Sequence, residues 1–228
     1  MAFLLDAYKK ITDQLNDQDI TLIAVSKTKP IEDVLDAYAA GQRAFGENYV
    51  QELVDKQAKL PADIQWHFIG HLQTNKVRYI TPFVHLIHGV DSDRLLKEIN
   101  KQAIKANRKI SCLLQVHIAR EESKFGLDET ELMELVKKHL LNDSPEPLLG
   151  VDVIGLMGMA SFSSEEELIR AEFTQLQTWY HQIKKNPSLI HPFRHLSMGM
   201  SGDYPLALAC GSNMIRVGSL LFGERAQR

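Results

Sequence analysis

The sequence predicts an α/β fold: a single (β/α)8 TIM barrel over residues 1–228, preceded by one extra N-terminal helix. Three observations carry the expectation. Strand-like and helix-like stretches alternate from end to end in roughly eight β/α units. No linker, composition break or low-complexity stretch divides them. The strands are many and short, which favours a closed parallel barrel over a doubly wound open sheet, the structural alternative. With 228 residues, 44% of them hydrophobic, the chain can bury a large core.

The leading helix spans about Phe3 to Asn16. Leu22–Ser26 is a short apolar run bounded by turn signals, the pattern of a buried strand. Pro30 suits the first turn of the next helix, which carries Val34, Leu35, Tyr38 and Ala39. Arg43–Gly46 reads as a strand, followed by a helix through Val50, Leu53, Val54 and Gln57. Trp66–Gly70 is the third strand, with a short helix around Lys76–Ile80. Val84–Val90 is the fourth, and Asp91 and Ser92 are good caps for the helix after it. Ile110–Ile118 is a strand, followed by a helix over about Asp128–Leu140. Pro145 and Pro147 mark a turn before the strand Gly150–Leu156, and a long helix covers about Ser164–Lys184. His195–Ser197 and Met214–Val217 supply the last strands, with a helix over Ser201–Cys210 between them.

The totals narrow the function. A formal charge of −3 offers no electrostatic footprint for nucleic acid. Cys112 and Cys210 are far apart and lack metal-ligand spacing. Met1–Tyr8 holds Asp6 and has no basic segment ahead of a long apolar one, so it does not read as a signal peptide. No run is long enough to span a bilayer, and the expectation is a cytoplasmic protein.

The chemistry gathers at strand ends. Lys27 ends the first strand, where apolar walls disfavour the ammonium form; a neutral amine attacks aldehydes, so Lys27 is a candidate Schiff-base lysine. Position alone favours a solvated lysine at a strand end, and the rest of the chain reverses that preference. Arg216 ends the last strand, and barrel closure makes first and last strands neighbours. By strand alternation Ile23, Val25 and Lys27 share one face, as do Met214 and Arg216. Two cations at one mouth call for an anionic or carbonyl-and-phosphate ligand. Gly218-Ser219 opens a loop toward a terminal helical segment, and Ser197-Met198-Gly199-Met200-Ser201-Gly202 is rich in glycine and hydroxyls. Barrels bind phosphate with the loops after their last two strands, so backbone N–H groups with Ser197, Ser201 and Ser219 would suit a phosphate dianion.

Other polar residues are weaker. Asn48 could hydrogen-bond a ring hydroxyl, whereas Glu47 reads equally as a helix cap. His67 lies on the Trp66–Gly70 strand and His71 follows it, so the strand residues and Gly70 between them spoil a helical zinc pair; no carboxylate or cysteine sits at matching spacing, and no metal is expected. His85 and His88 read as structural, Met157 and Met159 as core filling, and Glu121, Glu122 and Lys124 as a solvated charge run. Ser26 lies on the face opposite Lys27 and lacks a Gly-x-Ser-x-Gly elbow.

Ala24-Val25-Ser26-Lys27-Thr28, Phe45-Gly46-Glu47-Asn48-Tyr49, His67 through Lys76, Leu196 through Ser201, and Ile215-Arg216-Val217-Gly218 resemble, in order along the chain, the pyridoxal phosphate homeostasis protein family. The resemblance implies a barrel of the alanine racemase N-terminal type with pyridoxal 5′-phosphate bound to Lys27 as an internal aldimine. It further implies phosphate contacts from Ser201 and the Gly218-Ser219 backbone with help from Ser197, Arg216 facing the pyridine nitrogen, and Asn48 near the ring. Two departures are visible: Ser219 where the family often has threonine, and His117 where asparagine is common.

Alanine racemases resemble this barrel but add a β-domain and a tyrosine acid/base from a partner subunit; here the barrel consumes the chain. A guanidinium does not readily protonate a pyridine nitrogen, so the ring would be a poor electron sink. The expected function is therefore intracellular buffering or delivery of pyridoxal phosphate, without efficient catalysis. Apo pyridoxal-phosphate enzymes are the expected partners, with no membrane or nucleic acid, and the chain is a monomer or weak dimer. The alternatives are a weak pyridoxal-phosphate-dependent amino-acid racemase or lyase, and a barrel aldolase or phosphosugar enzyme using Lys27 itself. The sequence assigns no role to Lys29, Lys76 or Lys124.

Overall fold

In the computed structural model, which describes residues 3–16, 18–121 and 125–224, eight parallel strands close into a barrel in chain order. They are β1 (Thr21–Val25), β2 (Ala44–Glu47), β3 (Gln65–Phe68), β4 (Leu86–Val90), β5 (Ile110–Val116), β6 (Val151–Gly158), β7 (His195–Ser197) and β8 (Met214–Val217). β8 returns to β1 with Ile23 opposite Arg216, which rules out the open sheet. The helices are α1 (Leu5–Leu15), α2 (Ile31–Ala39), α3 (Val50–Gln57), α4 (Val77–Ile80), α5 (Asp93–Lys105), α6 (Glu129–His139), α7 (Glu166–Lys184), α8 (Tyr204–Ala209) and α9 (Ser219–Phe222). No helix is long and apolar enough to cross a membrane among the described residues. Glu122 and Lys124 of the expected charge run lie outside them.

Strand alternation divides the core in two. In β3, Trp66 and Phe68 point outward into the layer under the helices, with Phe45, Ile87, Phe173 and Ile215. Ile23, Ala44, Leu86, Leu113, Ile154, Met157 and Met214 fill the barrel itself. Met157 is core filling as expected, while Met159 packs at the edge of that cluster. The extra helix α1 is tied to α9, through Leu4 N–H to the Leu221 carbonyl at 2.8 Å and the Phe3 ring against Phe222.

Local chemistry sets the helix ends. Ser92 caps α5 by accepting from Leu95 N–H, as expected. Asp128 stands outside α6 as its cap, in a reciprocal capping box with Glu131. The expected helix over Ser201–Cys210 is shorter, because the Asp203 carboxylate accepts from Met200 N–H at 2.5 Å and holds the preceding residues in a turn. That turn leaves the 197–202 loop free to shape the barrel mouth.

At the start of α5, Asp93 accepts from His139 Nε2 at 2.6 Å, Lys138 at 2.9 Å and Lys97 at 3.3 Å. Partial burial alone would raise its carboxyl pKa, but hydrogen bonds from Lys138, His139 and Lys97 outweigh that and hold it at about 2. A folded value below the ordinary 3.8 means the stabilisation is full above that value and is lost as pH falls through about 2. Because the side chain is 39% exposed, solvent screening keeps the gain under ~1 kcal/mol. Asp93→Asn is expected to lower the urea midpoint at about pH 6, with the gap to wild type closing as the pH falls toward 2. A gap independent of pH would sink this account.

Candidate functional site

Lys27 sits in a tight turn just past β1, closed by Lys29 N–H donating to the Ser26 carbonyl at 3.1 Å. The turn places Thr28 at φ +64°, a left-handed conformation that costs a β-branched residue about 1–3 kcal/mol. Its surroundings hold it there. Thr28 N–H donates to Glu52 Oε1 at 2.7 Å. Lys56 Nζ donates to the Ser26 carbonyl, Glu47 Oε1 and Glu52 Oε1, each at 2.7 Å. The Ser26 hydroxyl donates to Glu47 Oε1, also at 2.7 Å. Glu47 therefore ends β2 as a fully buried carboxylate and caps no helix. Burial pushes its carboxyl pKa up, against the pull of Lys56 and Ser26.

The turn opens onto a cavity of about 440 Å³ at the C-terminal mouth of the barrel, a size suited to a small ligand. Lys27, Asn48, Ser201, Arg216, Gly218 and Ser219 all line it, from loops more than 190 residues apart in sequence. Apolar wall comes from Val25, Ile69, Met159 and Met200. Phe162 stands at the rim, 98% exposed. The described lining residues hold three cations, Lys27, Lys29 and Arg216, and no carboxylate. Asn48 Oδ1 is buried at this wall without a hydrogen-bond partner among the described residues.

On the β7–β8 side, Gly218 N–H donates to Ser201 Oγ at 3.1 Å, drawing the two glycine loops together. Gly199 makes its bend at φ +95°. Lys29, which the sequence left without a role, donates through Nζ to the carbonyls of Phe222 at 2.6 Å and Gly223 at 3.2 Å. A cation on those carbonyls satisfies the end of α9 and fixes the segment that begins with Ser219.

Arg216 reaches the cavity floor from inside the barrel. Its NH1 donates to Ser197 Oγ at 2.6 Å and its NH2 to the Gly158 carbonyl at 3.0 Å. Burial pulls the guanidinium down to about 10, and it stays a cation at neutral pH. Ser197 is the one expected cofactor residue that does not line the cavity. It is fully buried beneath Arg216, because β7 alternation turns it into the barrel beside Met214. Its hydroxyl also lies 3.3 Å from His88 Nδ1.

Sequence reasoning missed Glu52 and Lys56, although their i,i+4 spacing after Asn48 was a usable sign of a helix face turned toward the site. It also missed Ile69 and the rim ring Phe162. His71 lies outside on the surface, stacked on Phe125 and 3.0 Å from Asp91. No group of three or more His, Cys, Asp or Glu side chains arranged for a metal occurs among the described residues. Cys112 and Cys210 are buried free thiols.

Comparison with known proteins agrees with this architecture. The family described as "Alanine racemase, N-terminal domain" matches residues 4–226. The chain is 39% identical over 205 residues to the pyridoxal phosphate homeostasis protein of Aquifex aeolicus, covering 90% of this chain and 86% of that one. It is 36% identical over 214 residues to the human pyridoxal phosphate homeostasis protein, covering 90% and 76%. Among solved structures, PipY of Synechococcus elongatus PCC7942 with PLP bound superposes with a TM-score of 0.83 at 36% identity, covering 96% of this chain and 99% of that one. This chain belongs to the alanine racemase N-terminal domain family, among its pyridoxal phosphate homeostasis proteins.

Proposed function

We propose that the chain works as one barrel unit that holds pyridoxal 5′-phosphate at the mouth, covalently through Lys27, and buffers or delivers it inside the cell. The observation that carries this is the polar set of the 440 Å³ cavity: two amines, a guanidinium, two serine hydroxyls and an amide oxygen without a partner among the described residues, around apolar walls, with no carboxylate among the described lining residues. That set fits a flat aromatic ring carrying an aldehyde, a hydroxyl and a phosphate dianion. Lys27 would hold the aldehyde carbon, and Ser201, Ser219 and the Gly218 backbone the phosphate. Arg216 would face the ring nitrogen and Asn48 the ring edge. Bound pyridoxal phosphate supplies an aldehyde that amines take up and release reversibly.

The chain's own residues do the holding. The Ser26–Lys29 turn fixes the Lys27 backbone, Lys29 anchors α9, and Arg216 is a cation that gives up no proton at neutral pH. The described lining residues include no tyrosine, histidine or carboxylate to act as a second acid/base, which supports holding over turnover. The proposal extends to apo pyridoxal-phosphate enzymes as recipients and to a monomer or weak dimer in a cytoplasmic setting.

The test is the absorption spectrum of the freshly purified protein, followed by borohydride reduction and peptide mapping. A yellow chromophore fixed to the Lys27 peptide, absent in Lys27→Ala, is the expected outcome. A colourless protein that takes up no added pyridoxal phosphate would overturn the reading and favour an aldolase. Steady amino-acid turnover lost in Lys27→Ala would favour a weak racemase or lyase.

A further inference from the structure

We infer that Ser197, His88 and His67 form a hydrogen-bond chain of a single polarity inside the barrel, and that its task is to position the Arg216 guanidinium against the cofactor. The inference rests on the cavity's being a pyridoxal phosphate site. None of the three residues lines that cavity. All are buried, with relative exposures of 0%, 0% and 2%. A buried polar run of this kind is costly where its members go unsatisfied, and here a single end atom, His67 Nε2, has no partner among the described residues.

The polarity follows from what each group can do. A guanidinium only donates, so at 2.6 Å Ser197 Oγ accepts from Arg216 NH1. The serine proton is then left to donate, and His88 Nδ1, 3.3 Å away, is its acceptor. His88 therefore carries its proton on Nε2, which donates to His67 Nδ1 at 3.0 Å. His67 in turn carries its proton on Nε2, a buried atom with no partner among the described residues. The opposite direction would aim two donors at Ser197 Oγ and leave the serine proton without this acceptor. Both rings must be neutral for either to donate and accept at once. Burial, reinforced by the neighbouring histidines, holds both far below the ordinary histidine range.

In such a chain each donation makes the next acceptor stronger, so Ser197 binds the guanidinium more firmly than an isolated serine would. Among the described residues, Gly158 O and Ser197 Oγ hold the two terminal nitrogens, and Ser197 is the side chain of the pair. Ser197, His88 and His67 are positioning residues, acting on the cofactor through Arg216.

Two measurements test this. In the apo-protein, long-range 15N–1H NMR of labelled histidines is expected to place the proton of His67 and of His88 on Nε2. Ser197→Ala should release His88 into a tautomer mixture, and Ser197→Thr should not. In the loaded protein, fluorescence titration with pyridoxal phosphate should show Kd about tenfold or more weaker in Ser197→Ala, as expected for losing a hydrogen bond to a charged group. Ser197→Thr should recover wild-type affinity. His88→Asn, whose Oδ1 stands in for Nδ1, should stay near wild type, and His88→Leu, which leaves an isolated serine on the guanidinium, should fall between wild type and Ser197→Ala. A proton on Nδ1 of either ring, or wild-type Kd in a folded Ser197→Ala, overturns the proposal. Failure of the wild type to take up pyridoxal phosphate would instead sink the reading of the cavity; the tautomers are measured without it.

Discussion

Lys56→Met is expected to destabilise the protein by about 3–5 kcal/mol, the usual cost of removing one partner from a buried ion pair. The Lys56 side chain is 6% exposed and that of Glu47 is 0% exposed. Its ammonium is the donor to two carboxylates and to the Ser26 carbonyl. Methionine keeps the length of the side chain and removes all three bonds. Glu47 is then left in the interior with only the Ser26 hydroxyl, and burial drives it to take up a proton. For a chain of this size, about 2–4 °C of Tm per kcal/mol predicts a fall of roughly 6–20 °C. Lys56→Met with Glu47→Leu should recover much of the loss, because an apolar pair of similar volume carries no unpaired charge. Thermal unfolding followed by circular dichroism measures both variants. A single-variant loss under about 1 kcal/mol would put the pair in the class of surface salt bridges and remove it as the anchor of the Lys27 turn.

Lys56 also marks where sequence reading stops. The barrel was legible because the strands are short, mostly apolar runs bounded by turn signals, and several helices are announced by a cap or a proline, as with Pro30 before α2, Ser92 before α5 and Asp128 before α6. Lys27 and Arg216 were legible because closure puts the first and last strands side by side, and the structure pairs Ile23 with Arg216. The 197–202 and 218–219 loops were legible as glycine-rich segments in the places where barrels bind phosphate. Ser197 was harder: a hydroxyl at the end of β7 looks the same whether it faces a ligand or a guanidinium, and only the placement of the Arg216 side chain separates the two. Glu47 and Lys56 are nine residues apart on a strand and a helix, and no periodicity relates them. Their pairing depends on how α3 packs over β2. His67 and His88, on neighbouring strands, meet through barrel curvature, which no local pattern encodes.

Gly70→Ala is the sharpest test of how the backbone shapes the cavity. Gly70 follows β3, and its φ is not in the left-handed region, so conformational freedom does not explain the residue. Space does. A Cβ there would lie 2.8 Å from Asn48 Cα and 3.0 Å from the Asn48 carbonyl carbon, and closer still to the carbonyl oxygen. All three are backbone atoms, so no flexible side chain can yield. The strain must then move Asn48, which carries the unpartnered Oδ1 at the cavity wall. Overpacking of this kind costs about 1–3 kcal/mol of stability. If Asn48 reads the cofactor ring, affinity for pyridoxal phosphate should fall as well, by about tenfold for one lost hydrogen bond. Asn48→Ala should show the affinity loss with a smaller change in Tm, since it removes the amide without pushing the backbone. Urea unfolding and fluorescence titration on both variants separate the two effects. A Gly70→Ala protein that is destabilised yet binds pyridoxal phosphate like wild type would show that the neighbouring strands absorb the shift and that Asn48 is not held by this contact.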